Sequence, residues 1–381
     1  MHNLWRRTYT ISGAKHNRGR LANGVSTAEP STPVTGESGE LRLSGRFFNR
    51  RTLLSFLVAF GLLAFAFSRI DIDVGKTLTT MSQANPALLA AAIFVYGLTF
   101  PIRAARWKVM LHNTGVEQTP PVSVLSGIIL LSWFANCLLP AKLGDVYRAY
   151  LLRKRGDVSI SHAGGTVLAE RLIDFAFVLI LIGASGLIAF RGKLPDTILP
   201  FLEIGAALVL LAGLALLALR RWEALIPRFL PQRLQGIYQR FHVGMIGAFG
   251  SFGWLLLYTP LGWLAEILRF WLVATSLGIS LGDSVPQGLA VATFITLGSA
   301  IVMSAAPTPG GLGAAEVAMV GALALLNSFG MIRVSNELAV ATAILDRLIS
   351  YWGLIAVGAI LYFIWEAPHQ STGARADPTN G

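Results

Sequence analysis

The chain has 381 residues, of which 54% are hydrophobic and only 13% charged, and its mean hydropathy is +0.61. Soluble domains are about a quarter charged, so this composition excludes an ordinary water-soluble fold. The net charge of +11 is not a nucleic-acid signature, because the basic residues sit just outside apolar runs in the positive-inside pattern. The single cysteine, Cys137, excludes an intramolecular disulfide framework and a cysteine-rich metal site.

Residues 1–51 mix Arg, Ser, Thr, Gly and Pro and read as a disordered basic cytoplasmic tail, too long and polar for the n-region of a signal peptide. Thr52–Ser68 is an apolar run just long enough to span, and a short loop with Asp71, Asp73 and Lys76 is expected after it. Ala87–Ile102 is the second run and ends in Arg103, Arg106 and Lys108, with Trp107 among them. Such a helix end serves more often as an interface anchor than as a ligand site, and it places this end in the cytoplasm.

Val122–Leu139 is apolar and leads directly into Pro140, Lys142, Gly144 and Asp145, then Arg148, Arg153, Lys154 and Arg155. A full crossing would leave that basic stretch outside, against the positive-inside rule. A re-entrant element that turns at Pro140 to Gly144 and returns resolves the conflict. Irregular backbone at membrane depth is tolerated only in protein or beside a cavity, so a cavity is expected there. Arg148 to Arg155 would touch anionic headgroups.

Ala163–Phe190 carries Glu170, Arg171 and Asp174 inside an apolar run. Ile198–Leu219 exits to five arginines, residues 241–253 are Gly-rich and too short to span, and Trp254–Thr275 contains Glu266 and Arg269. Val285–Ser304 leads into Pro307, Pro309, Gly310, Gly311 and Gly313, after which Ala314–Asn327 opens with Glu316. The last run, Leu338–Trp365, carries Asp346 and Arg347, and a short polar tail, 366–381, closes the chain.

Two halves, about 87–190 and 254–365, repeat one another. Arg103-x-x-Arg106 before Gly115 matches Glu266-x-x-Arg269 before Gly278. Pro140-x-x-Leu143-Gly144 matches Pro309-x-x-Leu312-Gly313, and Glu170-Arg171 matches Asp346-Arg347. The flanking charges send the first matched run inward and the second outward, so the halves are predicted to be inverted. The expected fold is all-α: a polytopic helical membrane protein, residues 52–365, with an inverted internal repeat and two broken or re-entrant elements. Six full spans are expected beside these two, with both termini cytoplasmic.

Ionisable residues at membrane depth cost about 2.5–3.5 kcal/mol each on insertion scales. Glu170 and Asp174, four apart, share a helix face. They form either packing ion pairs or a polar pathway for a headgroup or coupling ion, and Asp346 and Arg347 repeat the arrangement. Arg269 needs a partner such as Glu266. At the two Pro-x-x-Leu-Gly turns a helix N-terminus faces the interior and attracts anions such as phosphate, unless the turn serves only packing. Asp145 and Glu316 oppose this unless Lys142, Arg148 or Arg171 offsets them. No nucleophile motif occurs, Gly75-Lys76-Thr77 is no phosphate loop, and the histidines show no metal-ligand spacing, so neither enzyme activity nor a metal or cofactor is expected.

Arg103-x-x-Arg106-Trp107, the Pro140 and Pro309 turns, Glu170-Arg171-x-x-Asp174 and Asp346-Arg347 together resemble the lysylphosphatidylglycerol synthase transmembrane-region family, over roughly 50–365. That resemblance implies a flippase-like domain of the bacterial inner membrane. It would move a phospholipid, or a polyprenyl or hopanoid lipid, between leaflets. The aminoacyl-transferase domain fused to some members has no counterpart here, so synthase activity is not carried over. The residues placed in the candidate site are Arg106, Lys142, Asp145, Arg148, Glu170, Arg171, Asp174, Arg269, Glu316, Asp346 and Arg347. The turns are built on Pro140, Gly144, Pro307, Pro309, Gly310, Gly311 and Gly313. The partner expected is a membrane lipid with an anionic or phosphate-bearing headgroup. The alternatives are an ion-coupled transporter of a small solute and an accessory subunit of a lipid or glycan biosynthetic enzyme.

Overall fold

The computed structural model describes residues 73–365, apart from positions 140, 141, 157, 193, 197 and 224, together with Leu54, Phe56, Leu57 and Gly61. The two tails, Pro140 and most of the Thr52–Ser68 run lie outside the described residues. Among the described residues the regular structure is entirely helical.

Chain order gives α1 Val74–Ser82, α2 Pro86–Asn113, α3 Val122–Leu138, α4 Leu143–Gly156, α5 Ile160–Ala189 and α6 Leu199–Arg221. Then come α7 Gln232–Gly247, α8 Phe252–Ser276, α9 Val285–Ala305, α10 Ala314–Ser328, α11 Asn336–Arg347 and α12 Leu354–Trp365. A π-helical stretch, Leu348–Gly353, joins the last two. Among the described residues, seven helical segments are long and apolar enough to cross a membrane. Five correspond to spans expected from the sequence. The other two, Val285–Ala305 and Pro309–Ser328, are the legs of the second broken element, each apolar enough to qualify alone.

Two segments differ from expectation. The stretch after Asp73 is a helix rather than a loop, because the Asp73 side chain accepts the Lys76 N–H at 3.0 Å and caps it. That bond holds the exposed Asp73 carboxyl below its ordinary pKa. The Gly-rich stretch near 241–253 is largely helical, in α7 and the start of α8. Its glycines allow α7 to seat on α5: a Cβ on Gly244 would lie 2.1 Å from the His162 carbonyl oxygen.

The repeat is visible in the packing. Helices α2 and α8, which correspond, run antiparallel along each other. Asn85 N–H donates to the Ser276 carbonyl at one end, Arg106 reaches Thr259 midway, and the Ser251 hydroxyl meets Asn113 at the other. Corresponding helices that run antiparallel are related by a two-fold axis across them, which in a membrane lies in its plane. The remaining contacts obey the same exchange: α3 packs on α12, and α9 packs on α5. Even the helix ends match. Gly115 and Gly278 both have left-handed φ, and Val116 N–H bonds to Leu111 as Ile279 N–H bonds to Ala274.

Each half holds one helical hairpin. In the first, α3 has 17 residues and α4 has 14. At 1.5 Å per residue these are about 26 and 21 Å long, short of a bilayer core of about 30 Å. The hairpin is closed by the Ser132 hydroxyl donating to the Gly144 carbonyl and the Gly144 N–H donating to Asn136, both at 2.8 Å. Only glycine fits there, since a Cβ would lie 2.0 Å from the Ser132 carbonyl oxygen. At its base Gly156 lies against Pro120, so both legs begin and end on one side. The second hairpin, α9 and α10, has its base at the opposite end, where Phe190 after α5 packs edge-on to Phe329. The tips meet between them, where Gly310 abuts the Cys137 backbone, and Tyr351 Oη from the π-helical stretch donates to the Cys137 carbonyl at 3.0 Å.

Candidate polar chamber

The ionisable residues of the apolar helices converge. Arg148 reaches Glu170 at 2.8 Å, Glu170 reaches Arg106 at 3.1 Å, and Arg106 reaches Asp174 at 2.6 Å. Asp174 lies 3.4 Å from Arg103, Arg103 lies 4.0 Å from Glu266, and Glu266 lies 3.6 Å from Arg269. Arg269 closes the series on Asp346. Four arginines and four carboxylates thus alternate in one continuous chain that crosses the interface between the halves. Burial leaves no alternative to pairing: Arg106 and Arg148 are each 1% exposed, and an unpaired charge there would cost several kcal/mol.

Two further pairs flank the chain. Arg171 binds Asp145 through two hydrogen bonds, and Arg347 Nε donates to Glu316 at 2.7 Å. The repeat orders all of this. Arg106 with Glu170 corresponds to Arg269 with Asp346, and Arg171, equivalent to Arg347, pairs with Asp145 as Arg347 pairs with Glu316, two residues further along its helix. In each half an arginine of the outer helix holds the acid of the Glu/Asp-Arg pair. The arginine of that pair in turn holds an acid in the first turn after the break.

Aromatic rings support the cations. Arg103 lies between Trp133 and Trp263 at 5.2 and 5.0 Å, and Arg148 sits over Trp107 at 3.8 Å. Arg347 lies 4.6 Å from the ring of Tyr351, in the π-helical stretch, a local widening often found at functional sites.

Beside this belt is a cavity of about 220 Å³. Both hairpin tips line it, with Asn136, Cys137 and Lys142 from the first and Thr308, Gly310 and Gly311 from the second. Arg103, Arg171, Glu266, Arg269, Asp346 and Arg347 face it too. Arg106, Arg148, Glu170, Asp174, Asp145 and Glu316 are not among its lining residues and stand behind as partners.

Several sequence-derived sites acquire different surroundings here. Arg103 and Arg106 are buried, not interface anchors, because the inverted partner helix α8 covers them. Arg148 faces inward to Glu170, whereas Arg153, Lys154 and Arg155 are exposed. The helix N-termini after the breaks are partly satisfied from within: Glu316 caps Gly313 N–H at 2.7 Å, and Asn136 caps Gly144 N–H. Gly310, Gly311 and Gly313 all have left-handed φ, as the turn requires. Pro307 precedes that turn and Pro309 opens its short 3-10 segment, buried. Sequence reasoning left Trp133, Trp263, Tyr96, Tyr351 and the hydroxyls of α9 out of the site. Single aromatics and hydroxyls in an apolar chain carry no pattern that separates them from packing residues.

The breaks differ at two positions, Ala141 against Gly310 and Lys142 against Gly311. Lys142 has φ 52, and its counterpart Gly311 has φ 65. A non-glycine residue in this region costs roughly 1–2 kcal/mol. Among the described residues Lys142 has no carboxylate within ion-pair distance, although its backbone is held where glycine would be at ease.

A polytopic helical membrane protein built as an inverted repeat, with two broken hairpins meeting at a charged cavity, is the class these features define. The model of the lysylphosphatidylglycerol synthase transmembrane region matches residues 52–358, and the chain belongs to that family. A UPF0104 membrane protein of Methanocaldococcus jannaschii is 31% identical over 234 residues, 61% of this chain and 94% of that protein. The glycosyltransferase AglD of Haloferax volcanii is 24% identical over 347 residues, 81% of this chain and 53% of AglD. A UPF0104 membrane protein of Pyrococcus horikoshii is 25% identical over 316 residues, covering 76% and 90%.

Proposed function

We propose that this protein moves a lipid with an anionic or phosphate-bearing headgroup between leaflets, and that it acts as a translocator rather than an enzyme. One observation carries the proposal: a charged cavity lies between inverted halves, at the tips of two hairpins inserted from opposite sides. At about 220 Å³ it accommodates a headgroup but not acyl chains, since whole-ligand pockets run to about 300–1,000 Å³. The chains would remain in the surrounding lipid. Exchange of the two hairpins between near-equivalent arrangements would expose the headgroup to each side in turn, the alternating rearrangement that inverted repeats permit.

The plasma membrane is the expected site, with both termini in the cytoplasm. Arg153, Lys154 and Arg155 at the end of α4 and Arg220 and Arg221 at the end of α6 are exposed at helix ends, as the positive-inside rule expects of the cytoplasmic face. The second reading is an accessory role beside a lipid or glycan enzyme. What favours it is that one relative is named a glycosyltransferase and is matched over only about half its length.

Reconstitution separates the two. Fluorescent lipid in vesicles is scored for the fraction a membrane-impermeant quencher reaches, for wild type, Arg171→Ala and Asp346→Ala. The expected outcome is lipid movement by wild type and its loss in both variants. Absence of movement by wild-type protein alone, with activity restored by a partner enzyme, would replace the first reading by the second.

A further inference from the structure

We infer that the stretch from the end of α6 through the first half of α7 lies in the headgroup layer of one leaflet and gathers anionic phospholipid there. This surface is remote from the chamber in sequence and does not depend on lipid translocation. Its depth in the membrane follows from its neighbours. Helix α6 exposes apolar side chains along most of its length, as a helix surrounded by lipid does, and it ends in Arg220 and Arg221. Helix α7 then rests on helix ends. His242 meets the Leu219 carbonyl in the last turn of α6 at 3.2 Å. Gly244 lies against His162 in the first turn of α5, while Gly247 and Gly250 lie against Thr114 and Asn113 at the end of α2. These three ends share one face, because the α3–α4 hairpin returns to the side where α2 ended, α5 crosses and α6 crosses back. With 16 residues, about 24 Å, α7 is too short to span, and its anchors hold it along that face.

The outer side of this stretch suits neither water nor hydrocarbon. Trp222, Leu225, Phe229, Leu234 and Ile237 are all exposed, Phe229 by 86%. Among them stand Arg221, Arg228, Arg233 and Arg240, exposed as well. In water the apolar group would form a sticky patch, and in hydrocarbon the guanidinium groups would be costly. The headgroup layer satisfies both. Rings and aliphatic chains reach the acyl boundary while the guanidinium groups meet phosphates. Charge then selects the lipid. Residues 220–240 hold five arginines against one acid, Glu223. A zwitterionic surface does not offset that excess, and an anionic one does.

The internal repeat gives a second, independent observation. Helix α1 precedes α2 as α7 precedes α8, and α1 packs on α11 as α7 packs on α5. Yet α1 has nine residues and one basic side chain, Lys76, which pairs with Asp73 at its own cap. The scaffold therefore asks for a short helix at this place and not for arginines and exposed aromatic rings. Those belong to the α6–α7 face alone.

The test is fluorescence of the full chain reconstituted in vesicles of phosphatidylcholine and phosphatidylglycerol. An environment-sensitive label is attached at Phe229→Cys in a Cys137→Ser background and, for comparison, at Leu78→Cys on α1. Quenchers are present on both sides of the vesicle. A nitroxide carried by lipid near its headgroup is expected to quench the label at position 229 strongly, and acrylamide in the water only weakly. Energy transfer from position 229 to acceptor-labelled phosphatidylglycerol should exceed transfer to acceptor-labelled phosphatidylcholine at least about twofold. That excess should vanish at about 1 M salt, where charges are screened within about 3 Å, and in the combined Arg228→Gln, Arg233→Gln and Arg240→Gln variant. Position 78 should show no excess. Strong quenching at position 229 by acrylamide would put the surface in water, as an acidic soluble partner would require, and overturns the inference. Equal transfer to the two lipids, an excess that survives salt, or the same excess at position 78 also overturns it. The salt series uses unaltered arginines, so the outcome does not hang on the folding of the combined variant.

Discussion

The two hairpins are built to one plan and finished differently. Both fold back at a break, both meet an arginine from the Glu/Asp-Arg pair of their own half, and both present their tips to the same cavity. The first adds Arg148 and Asp174 to the shared ion pairs, closes its break on Asn136 and Ser132, and carries Lys142 at the turn. The second has Ser350 where the first half has Asp174, caps its own helix with Glu316, and uses glycine. What the halves share accounts for the scaffold. What they do not share is where recognition and directionality can lie, because a fully symmetric chamber would not distinguish its two sides.

The comparison can be broken first at its acids. Glu170 serves both Arg148 and Arg106, whereas Arg269 keeps Glu266 when Asp346 is lost. Glu170→Ala is therefore expected to cost about 3–5 kcal/mol, the usual penalty for orphaning a buried charge. Asp346→Ala should cost less, nearer the roughly 1.5–3 kcal/mol of a charged hydrogen bond. Thermal unfolding in detergent, followed by tryptophan fluorescence, gives the order. A larger loss for Asp346→Ala would contradict it.

The turns sharpen it further, with smaller effects. Gly311→Ala must place a Cβ 2.3 Å from Met303 in a left-handed conformation, and is expected to cost about 1–3 kcal/mol. Lys142→Gly should do the opposite. Relief of roughly 1–2 kcal/mol of backbone strain is offset by about 0.5–1 kcal/mol of added chain entropy, leaving a small net gain in stability. The same unfolding curves report both, and a clear loss in Lys142→Gly would show that this lysine is structural.

Much of this was legible in the residues. The apolar runs, the order of the three repeated motifs and the conflict between Val122–Leu139 and the basic stretch behind it were enough to place both breaks. The pairing of Arg269 was legible because a charge in an apolar run must be answered. Arg103 was left out of the site, and Arg106 was read both as an anchor and as a site residue, for a physical reason: a cation near a helix end looks like an interface anchor until the antiparallel partner covers it. The short helix Val74–Ser82 was missed because its cap is a single aspartate, and α7 because glycine reads as a breaker when it is serving close helix contact. Nothing in the sequence marks Thr296 or Ser299 as unlike Thr293, since the difference lies in which face of α9 meets the cavity.

The chain carries one cysteine, Cys137, and it lines the chamber at the tip of the first hairpin. It can therefore report whether the chamber opens to each side in turn, as proposed. A small membrane-impermeant thiol reagent applied to one side or the other of oriented vesicles should modify Cys137 from both faces, more slowly when the binding lipid is present. Modification from one face only, at a rate indifferent to lipid, would mean that the hairpins enclose a fixed pocket and that no headgroup passes between them.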